Sequence, residues 1–282
     1  MLKPFIIGAA AFSLASAAQA TTEIATTARG VFSNVRAVGQ PLTLVGPIAS
    51  VGGRTSPGYS LNGGVASLSA PVSLGTVSLV TAGLDIGTGL ITTTASADGT
   101  TPADTTSGSA TATVNNLAVS LFTSTLGVPT SIIGLTADQV QSQSNISTAN
   151  QVVALTGQSN FTNLNLTVAG VPILALGSNA QVGVNFVAYD LAGLKITFNQ
   201  QFTSNFDSTR LLVTNAIGIS FTNYLLGGRS LNGDLIIGQT VAEYQGSAPI
   251  PEPAAWAQLI AGLALAGAAR RRQQRKTKLA RD

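Results

Sequence analysis

Large apolar and small polar residues alternate along much of this chain. In LLVTNAIGISF (211–221), Leu211, Val213, Ile217, Ile219 and Phe221 share one face, and Thr214, Ala216, Gly218 and Ser220 share the other. A period of two marks a half-buried strand. Val182, Val184, Phe186 and Ala188 alternate in the same way, as do Leu194, Ile196, Phe198 and Gln200. The segment between them, Asp190 to Gly193, predicts a hairpin with a short glycine-containing loop. Asn232-Gly233 predicts a second tight turn, because Asn-Gly suits positive dihedrals. Leu164, Leu166 and Val168 mark another strand, and Val114, Leu117, Val119 and Leu121 mark one whose phase slips. Residues 65–81 hold one or two more.

Two stretches break the pattern. TTTASADGTTPADTTSGSATAT (92–113) has no large apolar residue and is mostly Ser and Thr. Such a stretch is expected to be a mobile loop or an internal linker. Thr136-Ala137-Asp138-Gln139 can open a short helix, and QSQSNISTAN (141–150) suits strand or loop equally. SLNG occurs at 60–63 and again at 230–233, which is too short to establish a repeat. Beta-branched residues dominate and strong helix formers are scarce, so the expectation is an all-β, antiparallel, β-sandwich-like body.

The two ends differ from this body. MLKPFIIGAAAFSLASAAQA places Lys3 before an apolar stretch, Phe5 to Ala15, and then Ala18-Gln19-Ala20. This is the form of a secretory signal peptide, helical in its middle, with Ala18 and Ala20 flanking the expected cut. At the other end Pro251, Glu252 and Pro253 precede Trp256-Ala257 and an uncharged run to Ala269. As a helix, that run rises about 21 Å, short of a hydrocarbon core of about 30 Å. Arg270, Arg271 and Arg272 follow, and four more cations complete the tail. A cationic block after an apolar run acts as a stop-transfer signal and stays on the cytoplasmic side. The expectation is a single short transmembrane helix, weak as a permanent anchor. The organisation read from the chain is a signal peptide (1–20), an exported body (21–249) and an anchor segment (250–282).

The order Pro251-Glu252-Pro253, Trp256-Ala257, a short helix containing Gly262 and Gly267, and Arg270-Arg271-Arg272 resembles the PEP-CTERM sorting signal. Gln258 stands where that family usually has methionine. The resemblance covers about the last 30 residues. It implies a Gram-negative host that makes exopolysaccharide, and a partner: an exosortase, a membrane-embedded cysteine protease-transpeptidase that recognises the motif and removes the tail. The order of FNQQ (198–201), VTNAI (213–217) and GDLIIGQT (233–240) is similar to bacterial choice-of-anchor surface proteins, whose ectodomains carry different C-terminal anchors.

Charge and missing residue types narrow the chemistry. The body's cations are Arg29, Arg36, Arg54, Lys195, Arg210 and Arg229, fewer than its nine acids, so the basic character belongs to the tail. No basic stripe is available for phosphates, and nucleic acid is not an expected partner. The chain has no Cys and no His. That removes disulfides, Ser-His-Asp triads, Cys-His pairs and His-ligated metals. Carboxylate chemistry, a Ser-Lys pair or an oxygen-ligated calcium site remain open. Asp190, Asp207 and Asp234 are the candidate acids of a glycosidase, although Asp at turns ordinarily caps local backbone. Lys195 is the only base open to a Ser-Lys dyad. An outer-membrane barrel is the third alternative, but the aromatic girdles it needs are not visible. The reading favoured is a non-enzymatic, exported surface or matrix protein without a cofactor or metal. Its partners are the processing enzyme, the membrane that holds the tail transiently, and exopolysaccharide; the alternative is an exported carboxylate-dependent hydrolase.

Overall fold

A computed structural model of the chain describes residues 23–37, 45–55, 58–77, 80–98, 105–149 and 152–246. The signal segment with Ala18 and Ala20, and the tail from Pro251 to Arg272, lie outside the described residues. Among the described residues there is no helix, and so none long and apolar enough to cross a membrane. Residues Thr22–Gly246 form one compact unit.

The strands, in chain order, begin with β1 (Glu23–Ser33), β2 (Arg36–Ala37), β3 (Val45–Arg54), β4 (Tyr59–Val65), β5 (Leu68–Val77) and β6 (Val80–Thr88). Then come β7 (Ile91–Ala97), β8 (Thr105–Thr125), β9 (Val128–Ala149), β10 (Val152–Thr162), β11 (Leu164–Val168) and β12 (Val171–Leu176). The last five are β13 (Ala180–Gln181), β14 (Phe186–Leu191), β15 (Leu194–Phe206), β16 (Thr209–Leu226) and β17 (Arg229–Gln245). They form two antiparallel sheets. Sheet A runs β14-β15-β16-β17-β1-β3. Sheet B centres on β8 and β9, with β6 and β7 along one side and β10 and β11 along the other. The sheets stack face to face over a shared core that includes Leu84, Leu135, Phe161, Phe198, Ile217 and Ile237. Strand pairing does not join them into one ring among the described residues.

Several strands are far longer than the usual 3–10 residues. β9 has 22 residues and β8 has 21. Each stays inside one layered body because it bends at a common line. In sheet A, Asn199, Ala216, Gly238, Gly30 and Ala49 lie side by side in one row. Asn199, Gly238 and Ala49 have positive φ there. In sheet B, Asn116 and Asp138 face each other, and Asn163 Nδ2 donates to Asp138 Oδ2 at 2.6 Å. Asn116 and Asn163 also have positive φ. Asn tolerates the left-handed region and Gly has no Cβ to oppose it. A residue in that conformation acts like a bulge and reverses which side chains point inward. Pairing register is the same on both sides of the line.

The inward parity therefore switches along each strand. In β1, Ile24, Thr26 and Ala28 are buried, then Val31 and Ser33. In β8, Ala110, Ala112 and Val114 give way to Leu117, Val119 and Leu121. In β16, Leu212, Thr214 and Ala216 precede Ile217, Ile219 and Phe221. This corrects the single face read for 211–221: Thr214 and Ala216 are fully buried, and the face changes after Ala216.

The line divides the body into unlike halves. One half is filled by large side chains, among them Leu84, Ile86, Leu135, Ile196 and Leu235. The other has small side chains through its middle, between Ile24 and Ile146 at one end and Phe161 near the line, and there the sheets approach closely. Ala28 of sheet A packs against Ala110 and Ala112 of sheet B. Ser144 Oγ lies 2.8 Å from Thr240 Oγ1 and donates to Thr214 Oγ1 at 3.0 Å, so three buried hydroxyls join the layers. Buried hydroxyls that satisfy one another avoid the cost of an unpaired polar group.

The described parts of 92–113 belong to this narrow half, which corrects their reading as a loop or linker; residues 99–104 lie outside the described residues. Residues 92–97 lie in β7, 105–113 lie in β8, and the two pair from Thr92↔Thr113 to Ala97↔Gly108. Thr93, Ala95, Ala110 and Ala112 are buried. A segment without large side chains cannot build a thick core, yet it suits sheets in near-backbone contact. The expected helix at 136–139 is likewise strand, in the middle of β9.

The hairpin at 190–193 forms as read, with Ala192 and Gly193 both at positive φ in a two-residue turn. Val182 and Val184 fall outside its first strand. The Asn232-Gly233 turn does not form. Those residues sit inside β17, and the turn is Gly227-Gly228. Asn232 instead accepts the backbone N–H of Asn223 with its side-chain oxygen, at a register shift between Phe221 and Tyr224.

Tyr224 sits beside that shift. Burial, and secondarily the charge of Tyr189, raise its pKa above the ordinary value of 10.0. The folded protein therefore holds the phenolic proton more tightly than the unfolded chain does. This contribution to stability is complete below about pH 10 and is lost as pH rises through the raised value. Tyr224→Phe is expected to flatten the alkaline fall in stability, measured by urea unfolding across about pH 9–11.

Candidate functional site

The candidate catalytic residues are only partly brought together. Asp190, Lys195, Ser220 and Asp234 are consecutive cross-strand partners on β14, β15, β16 and β17. Their row lies on the outer face of sheet A. Lys195 Nζ is 3.8 Å from Asp190 Oδ2, and Ser220 Oγ donates to Asp234 Oδ1. Asp207 is elsewhere, in the β15–β16 turn at the far end of the sheet.

This row does not suit either reaction considered. Asp190 and Asp234 are separated by three strand spacings, about 14 Å in all. A glycosidase pair works at about 5–9.5 Å. Ser220 and Lys195 do face each other, but the serine proton is committed to Asp234. A lysine base needs removal from water, and the Lys195 and Asp190 side chains are 48% and 61% exposed. Lys195→Met is expected to change unfolding free energy by less than about 1 kcal/mol, as for other solvated ion pairs. Urea denaturation checks this.

A shallow hollow of about 380 Å³ lies on the outer face of sheet B, over the wide half. Gly87, Ala118 and Gly134 make its floor, and Ser69, Asp85, Ser120 and Thr136 stand around it. Small floor residues lower the surface between taller neighbours. Asp85 is its only carboxylate, so it lacks the second acid a glycosidase needs. Among the described residues no group of three or more His, Cys, Asp or Glu could hold a metal.

The most regular surface is the outer face of sheet B over the narrow half. Its side chains stand in rows across the strands. One row is Asn160, Gln141, Thr113 and Thr92. The next is Gln158, Gln143, Thr111, Thr94 and Asn62. The third is Thr156, Asn145, Ser109, Ser96 and Ser60. None of these side chains is charged and none is aromatic. The amides bond across strands: Gln158 Nε2 donates to Gln143 Oε1 at 2.8 Å and Gln181 Nε2 to Asn160 Oδ1 at 2.8 Å. Gln141 Nε2 donates to Thr113 Oγ1 at 3.3 Å, and Ser96 Oγ lies 3.2 Å from Ser109 Oγ.

Cross-bonding fixes the rotamers while leaving each amide and hydroxyl with unused donor or acceptor capacity. Within a row the side chains recur at the strand spacing of about 4.8 Å, and successive rows lie two residues, about 6.8 Å, apart. The face can meet an uncharged, hydroxyl-rich polymer without desolvating a charge. The signal for it was present in the sequence: Gln139, Gln141, Gln143 and Asn145 occupy every second position of β9. The possible helix at 136–139 obscured that alternation. Comparison with known proteins gives no match: no family model, no curated protein and no solved structure is similar to this chain.

Proposed function

We propose that the chain is an exported, non-enzymatic cell-surface or extracellular-matrix protein of a Gram-negative bacterium. On this reading a signal helix starts export and a short C-terminal membrane helix holds the chain for an exosortase-type enzyme. The body then associates with exopolysaccharide. The observation that carries the binding role is the uncharged amide and hydroxyl grid on sheet B. The wide separation of Asp190 from Asp234 argues against the hydrolase alternative. The sequence of both ends supports the route.

Fractionation of host cells with intact-mass measurement tests the route. The expected product lacks residues 1–20 and the tail beyond the Pro251-Glu252-Pro253 motif, and lies outside the cytoplasm. Full-length chain in the cytosol overturns it. Co-sedimentation of the protein with the host's own polysaccharide tests the face. Gln143→Glu with Thr111→Glu places two charges in the middle row and is expected to abolish retention without unfolding the body. Retention equal to the unsubstituted protein overturns the assignment.

A further inference from the structure

The described body begins and ends at one place. Glu23 pairs with Gln245, so both continuations of the chain leave from the narrow half. Among the described residues four tight turns lie at the opposite end: Leu126-Gly127, Ala169-Gly170, Ala192-Gly193 and Gly227-Gly228. Two of them protrude. β16 continues to Leu226, well past Phe221, which faces Leu194 at the β14–β15 turn. β9 starts at Val128, well before Ile133, which faces Val168 at the β11–β12 turn. The two protruding turns are neighbours, because Gly227 packs against Ala82 and Val80, and Val80 pairs with Thr125.

These tips carry large aliphatic side chains in water. Leu126 is 76% exposed, Val128 68% and Leu225 72%. Isolated exposed aliphatic side chains are ordinary, but two leucines and a valine at the apices of two adjacent hairpins are not. We propose that this end of the protein enters a lipid interface, with Leu126, Val128 and Leu225 as the inserted side chains.

Charge and side-chain chemistry favour lipid over a protein partner. Residues 123–132 contain no charged group, and residues 222–231 contain only Arg229. No carboxylate must therefore be brought into the headgroup region, and one guanidinium favours an anionic surface. Tyr224, half-buried against Phe221 with ring centroids 6.0 Å apart, stands directly behind Leu225. A phenol at that level suits the boundary between acyl chains and water. The tips and the tail are read on separate sets of vesicles, so lipid met by one is not mistaken for lipid met by the other.

The absence of cysteine permits a direct test, since one introduced thiol is the only labelling site. The full chain, as Leu126→Cys, Leu225→Cys or Phe206→Cys, carries an environment-sensitive fluorophore. Phe206 is equally exposed, at 73%, but lies at the end from which the chain leaves. Each protein is first mixed with plain lipid vesicles to occupy the tail. A second set, of phosphatidylethanolamine and phosphatidylglycerol, alone carries a lipid-linked quencher. The expected result is a blue shift and quenching of the 126 and 225 labels on adding the second set, with the 206 label unchanged. Val128→Ser combined with Leu225→Ser is expected to weaken quenching of the 126 label about tenfold. Tip labels that remain in water overturn the proposal. So does shielding that grows with protein concentration in the absence of lipid, which would mean a second copy of the chain. Flotation with the plain vesicles reads the tail separately, so failure of the anchor reading is distinguishable from failure at the tips.

Discussion

Phe161→Ala is expected to lower the unfolding free energy by about 3–5 kcal/mol, the range for an aromatic ring deleted from a core. Phe161 is fully buried on β10, and its ring meets Phe198 of β15 edge-on, with centroids 5.5 Å apart and planes at 79°. The pair joins sheet B to sheet A close to the line where the strands bend. Cavity formation there costs more than simple transfer, because small side chains on the narrow side cannot move in to fill it. Urea unfolding gives the value. The matching Phe206→Ala change, at an exposed turn, is expected to stay within about 0.5 kcal/mol. A double-mutant cycle with Phe198→Ala should return about 0.5–1.5 kcal/mol of coupling from the edge-on contact.

Gly108→Val is the second large effect expected, with about 1–3 kcal/mol lost to overpacking, and more if the sheets separate. A Cβ at Gly108 would lie 2.9 Å from Ile24 Cγ2 and 3.1 Å from both Ile146 Cγ2 and Thr26 Cγ2. Ile24 and Thr26 belong to the opposite sheet, and they cannot retreat without breaking the β1–β17 ladder. The valine methyls would enlarge the clash. Gly46→Ala supplies the contrast: its Cβ would meet nothing within 4 Å, so that change is expected to be tolerated. Thermal unfolding of the two variants separates crowding from the general effect of replacing glycine.

Strand alternation was legible in the sequence, and so was the all-β, antiparallel class. The reversal of phase was not, because a window read with one period assigns one face to a whole strand. In 211–221 this put Leu211 and Val213 with Ile217, although the buried partners before the bend are Leu212 and Thr214. The slipped phase of Val114 and Leu117 was the visible trace of the same event, at Asn116. The stretch 92–113 was missed for a different reason. Hydrophobicity measures how thick a core can be, while alanine and threonine report how closely two sheets can approach. Asn232-Gly233 has the composition of a turn, yet Gly233 serves a bulge beside Asn34, whose backbone oxygen would be 2.6 Å from an added Cβ. Among the candidate acids, Asp190 and Asp234 share a row with Lys195 and Ser220, but no sequence spacing discloses a separation of three strands. The amide grid was half legible: its members alternate within each strand, and their alignment across strands required the register.

The pairing of β1 with β17 has a temporal meaning. These are the first and last strands of the body, and they are adjacent in the middle of sheet A. A chain synthesised from its N-terminus cannot complete that sheet until residue 245 has been made. Until then β1 has no neighbour on the side where β17 belongs, and its apolar face waits for a partner more than 200 residues later. Contacts so distant in sequence are slow to form and leave a nascent chain open to association with others. The final strand is thus the closing piece of the molecule, and truncation just before it should leave a sticky half-structure rather than a smaller protein.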